Sequence, residues 1–124
     1  MTASRITLLV AALMGVWGVT LLAAARHIVG GELATIGAQM LLFHAPALIG
    51  WTLARRAGLL HPVIGRIGSF AMALGVMLFA GDLATRGLGG DRLFAYAAPL
   101  GGGLTIASWI VLALAVLLAP RDPA

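Results

Sequence analysis

The sequence predicts an all-α fold, a four-helix transmembrane bundle with short loops. Three stretches of the chain, residues 6–25, 33–54 and 93–120, carry no charged residue, and residues 67–81 form a shorter fourth stretch. A helix needs roughly 20 mostly apolar residues to cross a bilayer. The 124 residues are 61% hydrophobic and include only eight basic and four acidic side chains, too few polar groups to cover a soluble domain.

Four spans are expected within a single membrane domain, residues 1–124, at about residues 6–25, 33–54, 63–85 and 97–119. The remaining segments are too short for a separate water-soluble domain. Pro46 lies inside the second span, where we expect a kink or a backbone carbonyl that lacks its usual partner. The third span reaches full length only with its flanking residues, and the guanidinium of Arg66 can extend to the headgroups.

The distribution of arginine sets the expected topology, because the chain contains no lysine. Four spans put both termini on one side of the membrane. Five arginines fall on that side and three on the other: Arg5, Arg55, Arg56, Arg66 and Arg121 against Arg26, Arg86 and Arg92. This bias predicts cytoplasmic termini. The arginines suit contact with the lipid bilayer, and their scatter argues against nucleic acid as a partner despite the net charge of +4.

Composition also limits the chemistry that the chain can perform. It has no cysteine, which excludes thiol catalysis and iron–sulfur ligation. A bis-histidine haem needs two imidazoles at matching depth, but His27 and His61 fall at opposite membrane edges and His44 near mid-span. We therefore expect no metal and no cofactor. We find no phosphate loop and no serine–histidine–acid arrangement, so we predict no catalytic residues and no enzymatic activity.

Asp82 is the most unusual residue, since it lies about one turn inside the far end of the third span. Acidic groups in spans usually face a partner, a cavity or a pathway. Arg86 follows four positions later, so a boundary salt bridge on one helix face is the favoured interpretation. A proton or cation site is the alternative, and it requires Asp82 to face the interior of the bundle.

His44 in the second span likewise allows a structural and a functional interpretation. A neutral His44 can donate to a carbonyl of another helix, which is the structural interpretation. Proton relay is the functional one. His27 and Asp82 also belong to a group of polar residues that the topology gathers at the non-cytoplasmic edge, where a ligand site is the alternative to an ordinary polar boundary: Arg26, His27, Asp82, Arg86, Arg92 and Tyr96. Trp17 and Trp109 fall inside spans and are interpreted as packing residues.

Small residues at helical spacing predict close helix contacts. Gly75 in the third span, and Gly101, Gly102 and Thr105 in the fourth, are the candidates for this role. Such faces let helices approach closely in lipid, where hydrophobicity alone does not drive association. The face serves either packing within this bundle or docking of a second copy or another membrane subunit.

The chain resembles the membrane family known as domain of unknown function 423, a set of small four-helix bacterial inner-membrane proteins. The resemblance covers about residues 22–110 and rests on short matched motifs, namely Ala23 with His27, Phe43-His44, residues 79–84, residues 98–102 and Ser108-Trp109. Where the family has Phe-Ser-Gly-Ser-Leu-Tyr in its third span, this chain has Phe79-Ala80-Gly81-Asp82-Leu83-Ala84. Asp82 thus replaces one of the two serines. The resemblance implies the fold and a bacterial inner membrane, but it implies no activity.

Two functional hypotheses remain, with an enzyme acting on lipid ranked last. The leading hypothesis is a non-enzymatic accessory or structural subunit that packs with other membrane helices, as a homo-oligomer or in a larger membrane complex. Short loops, small-residue faces and the lack of a catalytic motif favour it. The alternative is a minimal oligomeric transporter, or a proton- or cation-conducting bundle, that uses Asp82 and His44.

Overall fold

The computed structural model describes residues 1–121, and within them the chain forms four α-helices and no strand. In chain order these helices are α1 (Ala3–Ala25), α2 (Glu32–Arg56), α3 (Pro62–Gly87) and α4 (Ala97–Leu117). All four are long and apolar enough to cross a membrane. The predicted all-α, four-helix transmembrane fold is therefore confirmed, and the protein is a multi-pass membrane protein. The last three positions of the predicted domain, 122–124, lie outside the described residues.

Most helices extend beyond the apolar stretches that predicted them, because capping groups and charged ends continue the helical backbone. The Oγ1 of Thr2 accepts a hydrogen bond from the amide of Arg5 at 3.3 Å, and α1 therefore starts three residues before Ile6. At the start of α3, Pro62 occupies the first turn and a ring nitrogen of His61 accepts from the amide of Ile64. The fourth helix instead ends two residues before the predicted residue 119.

The helix α2 is continuous through Pro46. We expected a kink or an unpaired carbonyl there, and the helical backbone on both sides of the proline shows that the ring does not end the helix. A proline lacks an amide hydrogen, so the carbonyl of Leu42 loses its usual donor four residues later. Pro46 itself is exposed on the outer surface of the bundle.

The helices α2 and α3 form the centre of the molecule. The helix α1 packs mainly on α2 and more lightly on α3, whereas α4 packs mainly on α3. The core between them contains large apolar side chains from all four helices, among them Met14, Leu48, Met72 and Leu112. Burial of these side chains excludes lipid from the interior and fixes which helix faces point inward.

Small residues allow α3 and α4 to approach until their backbones touch. A Cβ atom added to Gly101 would lie 2.5 Å from the amide nitrogen of Phe79 and 2.8 Å from the carbonyl oxygen of Gly75. A Cβ added to Gly75 would lie 2.7 Å from the Oγ1 of Thr105. At Gly102 the nearest atom is a ring carbon of Phe79 at 3.4 Å, which is an ordinary contact. Gly75, Gly101 and Thr105 therefore lie in the tight α3–α4 contact, and Gly102 lies at its margin.

Three buried hydroxyl groups deep within the spans bond to their own helices. The side chains of Thr52, Ser69 and Thr105 each donate to the carbonyl four residues earlier, at 2.7, 2.9 and 2.8 Å. Their polarity is satisfied locally, so these residues pack as small side chains rather than linking one helix to another.

Candidate functional site

The carboxylate of Asp82 is buried near the end of α3 and has two different partners. Only 1% of the residue is exposed. Its Oδ1 accepts a hydrogen bond from the backbone amide of Leu93 at 2.9 Å, and its Oδ2 lies 3.0 Å from the Nη2 of Arg86, one helical turn away. Asp82 therefore fastens the α3–α4 loop, residues 88–96, onto the helix that precedes it. A charged carboxylate in a buried site is normally stabilised by hydrogen bonds that it accepts from backbone amides and from arginine.

Arg86 uses only part of its guanidinium group to bind Asp82. A quarter of its side chain is exposed, yet its Nε is buried and has no hydrogen-bond partner. A buried donor without a partner costs about 1–3 kcal/mol. The guanidinium therefore has unused donor capacity, and it faces a cleft.

This cleft, which we call the loop-side cleft, lies between the end of α3 and the start of α4 and has a volume of about 540 Å³. Its polar end is lined by Asp82, Arg86, Arg92 and Tyr96. Tyr96 precedes α4 and has a left-handed backbone with φ of 67°, which is uncommon for a residue with a side chain. Its backbone turns the chain into α4 at the edge of the cleft.

The predicted group of edge residues divides into two parts. Four of its members, Asp82, Arg86, Arg92 and Tyr96, line the loop-side cleft. The other two, Arg26 and His27, lie in the α1–α2 turn, where both side chains are exposed and neither lines the cleft. His27 therefore has no geometric link to Asp82 in this structure.

Near the middle of the bundle His44 uses both ring nitrogens. Its Nδ1 lies 2.8 Å from the carbonyl oxygen of Met40 on its own helix, and its Nε2 accepts from the indole Nε1 of Trp109 on α4 at 3.2 Å. A carbonyl can only accept and an indole N–H can only donate, so the imidazole is neutral with its proton on Nδ1. The hydrogen bond between helices that sequence predicts for His44 thus has an indole partner instead of a carbonyl.

Trp109 and Trp17 differ in their exposure and in their contacts. Trp109 packs edge-on against both His44 and Trp51, with ring centroids 6.0 and 5.9 Å apart. Trp17 is 64% exposed and lies at the rim of a groove between α1 and α3. The interpretation of Trp17 as a packing residue is therefore wrong, because α1 packs too lightly on α3 to cover it.

The groove beside Trp17, which we call the α1–α3 groove, is an apolar concavity. It has a volume of about 340 Å³, its floor includes Leu41 and Ala80, and its walls include Leu13 and Met77. Every residue that lines it is apolar. Such a surface offers van der Waals contact but no charged or acid–base group.

A basic cluster lies at the opposite end of the bundle, on the side of the described N-terminus. Arg55 at the end of α2 donates from Nη2 to the hydroxyl of Ser4 on α1 at 2.7 Å. Its stem passes over Gly65, where an added Cβ would lie 3.3 Å from the Cδ of the arginine. The positive charges of Arg56 and Arg66 act on the same guanidinium.

No three histidine, cysteine, aspartate or glutamate side chains among residues 1–121 come together as a group that could hold a metal ion. Asp82 lines the loop-side cleft, whereas His44 lines neither that cleft nor the α1–α3 groove. Apart from Arg26 and His27 in the α1–α2 turn, the polar groups singled out by sequence lie in two separate sites, the His44–Trp109 pair and the loop-side cleft.

Comparison with known families shows to which family the chain belongs. The model of the family described as Protein of unknown function (DUF423) matches residues 21–102, which is more than half of the chain. The chain belongs to this family. The matched part of the DUF423 chain includes His44 and Asp82 but stops before Trp109. Neither a curated protein nor a solved structure matches the chain. The DUF423 description states no activity, so function has to be argued from the structure.

Two residues of these sites were not found by sequence reasoning. The sequence predicts only a packing role for Trp109, and it gives no sign of the contact at Leu93, because the backbone amide of Leu93, not its side chain, makes it. The Ser108-Trp109 motif was a usable signal for the first. No side-chain pattern could have pointed to the second.

Proposed function

We propose that this DUF423 protein is a non-enzymatic accessory or structural subunit that packs with other membrane helices. The observation that carries the proposal is the α1–α3 groove, an apolar concavity of about 340 Å³ on the outer surface. Transmembrane helices associate in lipid largely through van der Waals packing, and an apolar groove offers a neighbouring helix a surface for such contact.

Use of the polar groups also supports this role. Both oxygens of Asp82 and both ring nitrogens of His44 already have partners inside the chain. Groups that are engaged in this way hold elements together, whereas a general acid or base needs a free position toward its substrate. The transporter alternative has less support, since Asp82 lines the loop-side cleft and His44 lines neither that cleft nor the α1–α3 groove.

Site-directed cross-linking tests the proposal, because the chain has no cysteine of its own. Leu13→Cys places a thiol in the groove, and Ile110→Cys places one on the exposed face of α4 as a matched control. A photo-activated cross-linker attached to each thiol in native membranes should capture a discrete neighbour from the groove only. A second copy of the chain would double the 12.7 kDa mass, and another subunit would give a different fixed increment.

Two results would contradict the proposal. The protein purified in mild detergent could behave as a single chain, with no adduct at Leu13→Cys in native membranes. Alternatively, Leu13→Cys and Ile110→Cys could give the same adducts in the same yield, which would indicate crowding and no specific neighbour.

We further propose that the protein lies in the bacterial inner membrane with cytoplasmic N and C termini. The five arginines on the side of the termini support this orientation. Val29 in the α1–α2 turn and Leu59 in the α2–α3 loop are both well exposed and lie at opposite ends of the bundle. A membrane-impermeant maleimide should label Val29→Cys from outside the inner membrane, and Leu59→Cys only after permeabilisation. The reverse pattern would overturn the orientation.

A further inference from the structure

The loop-side cleft changes character along its length. At the membrane edge it presents Arg86, Arg92 and Tyr96, and deeper in the span it is lined by Phe79 and Ile106. Ile106 follows Tyr96 by ten positions, which corresponds to roughly 15 Å along a helix. The cleft is therefore polar where headgroups lie and apolar where acyl chains lie.

The charges at the polar end of the cleft favour the binding of an anion. Asp82 also lines the cleft, but its oxygens are directed to Arg86 and to the amide of Leu93, so its charge is compensated within the wall. Arg92 is exposed and adds a positive charge, and the first turn of α4 adds the partial positive charge of a helix N-terminus. The guanidinium of Arg86 pairs with Asp82 through Nη2, and its Nε is buried without a hydrogen-bond partner.

Its apolar end is open to the outside of the bundle. A Cβ atom added to Gly103 would meet nothing within 4 Å, and Ile106 is 66% exposed. An acyl chain could lie along this wall without displacing any side chain. A free phosphate ion would use the arginines but would leave this apolar surface to other contacts.

We propose that the loop-side cleft binds a single anionic phospholipid, with the headgroup phosphate at Arg86 and Arg92 and an acyl chain along Phe79 and Ile106. The guanidinium donors of arginine suit phosphate oxygens. The proposal is independent of the role of the α1–α3 groove, because the two concavities share no residue.

Lipid retention by the purified full-length chain tests this proposal. Micelles of the wild-type protein are titrated with phosphatidylglycerol or with phosphatidylcholine of the same chain length, and native mass spectrometry measures the bound lipid. Glycerol phosphate and inorganic phosphate form the soluble arms. We expect one phosphatidylglycerol to be retained in preference to phosphatidylcholine, with much weaker binding of either soluble anion.

Two variants with matched controls locate the site. Arg92→Gln should weaken phosphatidylglycerol binding about fivefold, the effect of one arginine near a charged headgroup. Arg26→Gln removes the same charge from the same membrane edge outside the cleft and should leave the affinity unchanged. Gly103→Leu fills the apolar wall and should weaken binding, whereas Gly50→Leu, at an equally open helical position, should not. Far-UV circular dichroism and thermal unfolding without lipid verify that each variant is folded.

Three results would overturn the proposal. The wild-type protein could retain phosphatidylglycerol and phosphatidylcholine equally, a result that requires no variant. Arg26→Gln could weaken binding as much as Arg92→Gln, which would indicate general surface attraction. Glycerol phosphate or inorganic phosphate could bind as tightly as the lipid and be insensitive to Gly103→Leu, which would make the ligand a soluble anion.

Discussion

The indole N–H of Trp109 donates to the Nε2 of His44 at 3.2 Å, and this bond joins two residues that are 65 positions apart in the chain. It links α4 directly to α2, although α4 packs mainly on α3. The carbonyl of Met40 holds the other ring nitrogen, so the imidazole presents a fixed acceptor to the indole. A histidine in the middle of a span is thereby a structural acceptor.

Removal of this bond should weaken the bundle measurably. We expect Trp109→Phe and His44→Phe each to lower the free energy of unfolding, and the double variant to reveal a coupling of about 0.6–2 kcal/mol, the range for hydrogen bonds between membrane helices. Unfolding in mixed micelles of mild detergent and dodecyl sulfate, followed by circular dichroism, gives these values. Trp17→Phe is the control, because Trp17 is exposed on the outer surface. Strictly additive single effects would show that the 3.2 Å contact contributes nothing.

The bond from Asp82 to the amide of Leu93 should determine how firmly the α3–α4 loop is held. Asp82→Ala removes the acceptor and leaves Arg86 without its ion-pair partner, so we expect a loss of about 1–3 kcal/mol. Hydrogen exchange of the Leu93 amide should accelerate in this variant. Asp82→Asn keeps an oxygen acceptor and should protect the amide better than Asp82→Ala does. Asp91→Asn, at an exposed position of the same loop, should not change the exchange rate.

Glycine substitutions should separate close packing from helix propensity. Gly101→Ala places a methyl group 2.5 Å from a backbone nitrogen of α3 and must push α3 and α4 apart, at a cost of about 1–3 kcal/mol. Gly103→Ala lies two positions later in open space and should be neutral or stabilising by up to about 1 kcal/mol. Unfolding in mixed micelles measures both. Equal effects at the two positions would contradict the tight α3–α4 contact.

Hydropathy and helix spacing account for much of this structure. Uncharged stretches of about 20 residues identify the spans because a bilayer requires that length. The spacing of four residues places Arg86 beside Asp82, and the ion pair at 3.0 Å follows from helix geometry. Both arguments need only the local sequence.

Contacts between distant segments could not be derived in the same way. A helix that is apolar on every side carries no periodicity to show which face points inward. The sequence therefore could not reveal that Trp109 points toward His44 while Trp17 points outward. The position of Leu93 depends on the path of the α3–α4 loop, and no side-chain pattern encodes a contact made by a backbone amide.

Proton flux into proteoliposomes distinguishes the structural roles of Asp82 and His44 from a conducting role. We expect wild-type protein, Asp82→Asn and His44→Ala to give the same flux as protein-free liposomes under an imposed pH gradient, measured with an internal pH-sensitive dye. The physical reason is that each group is held by partners within the chain, and His44 does not line the cleft that Asp82 lines. Flux of the wild-type protein above the protein-free level, lowered by either substitution, would instead establish a conducting bundle, and Asp82 would then have to exchange Arg86 for a mobile cation or proton.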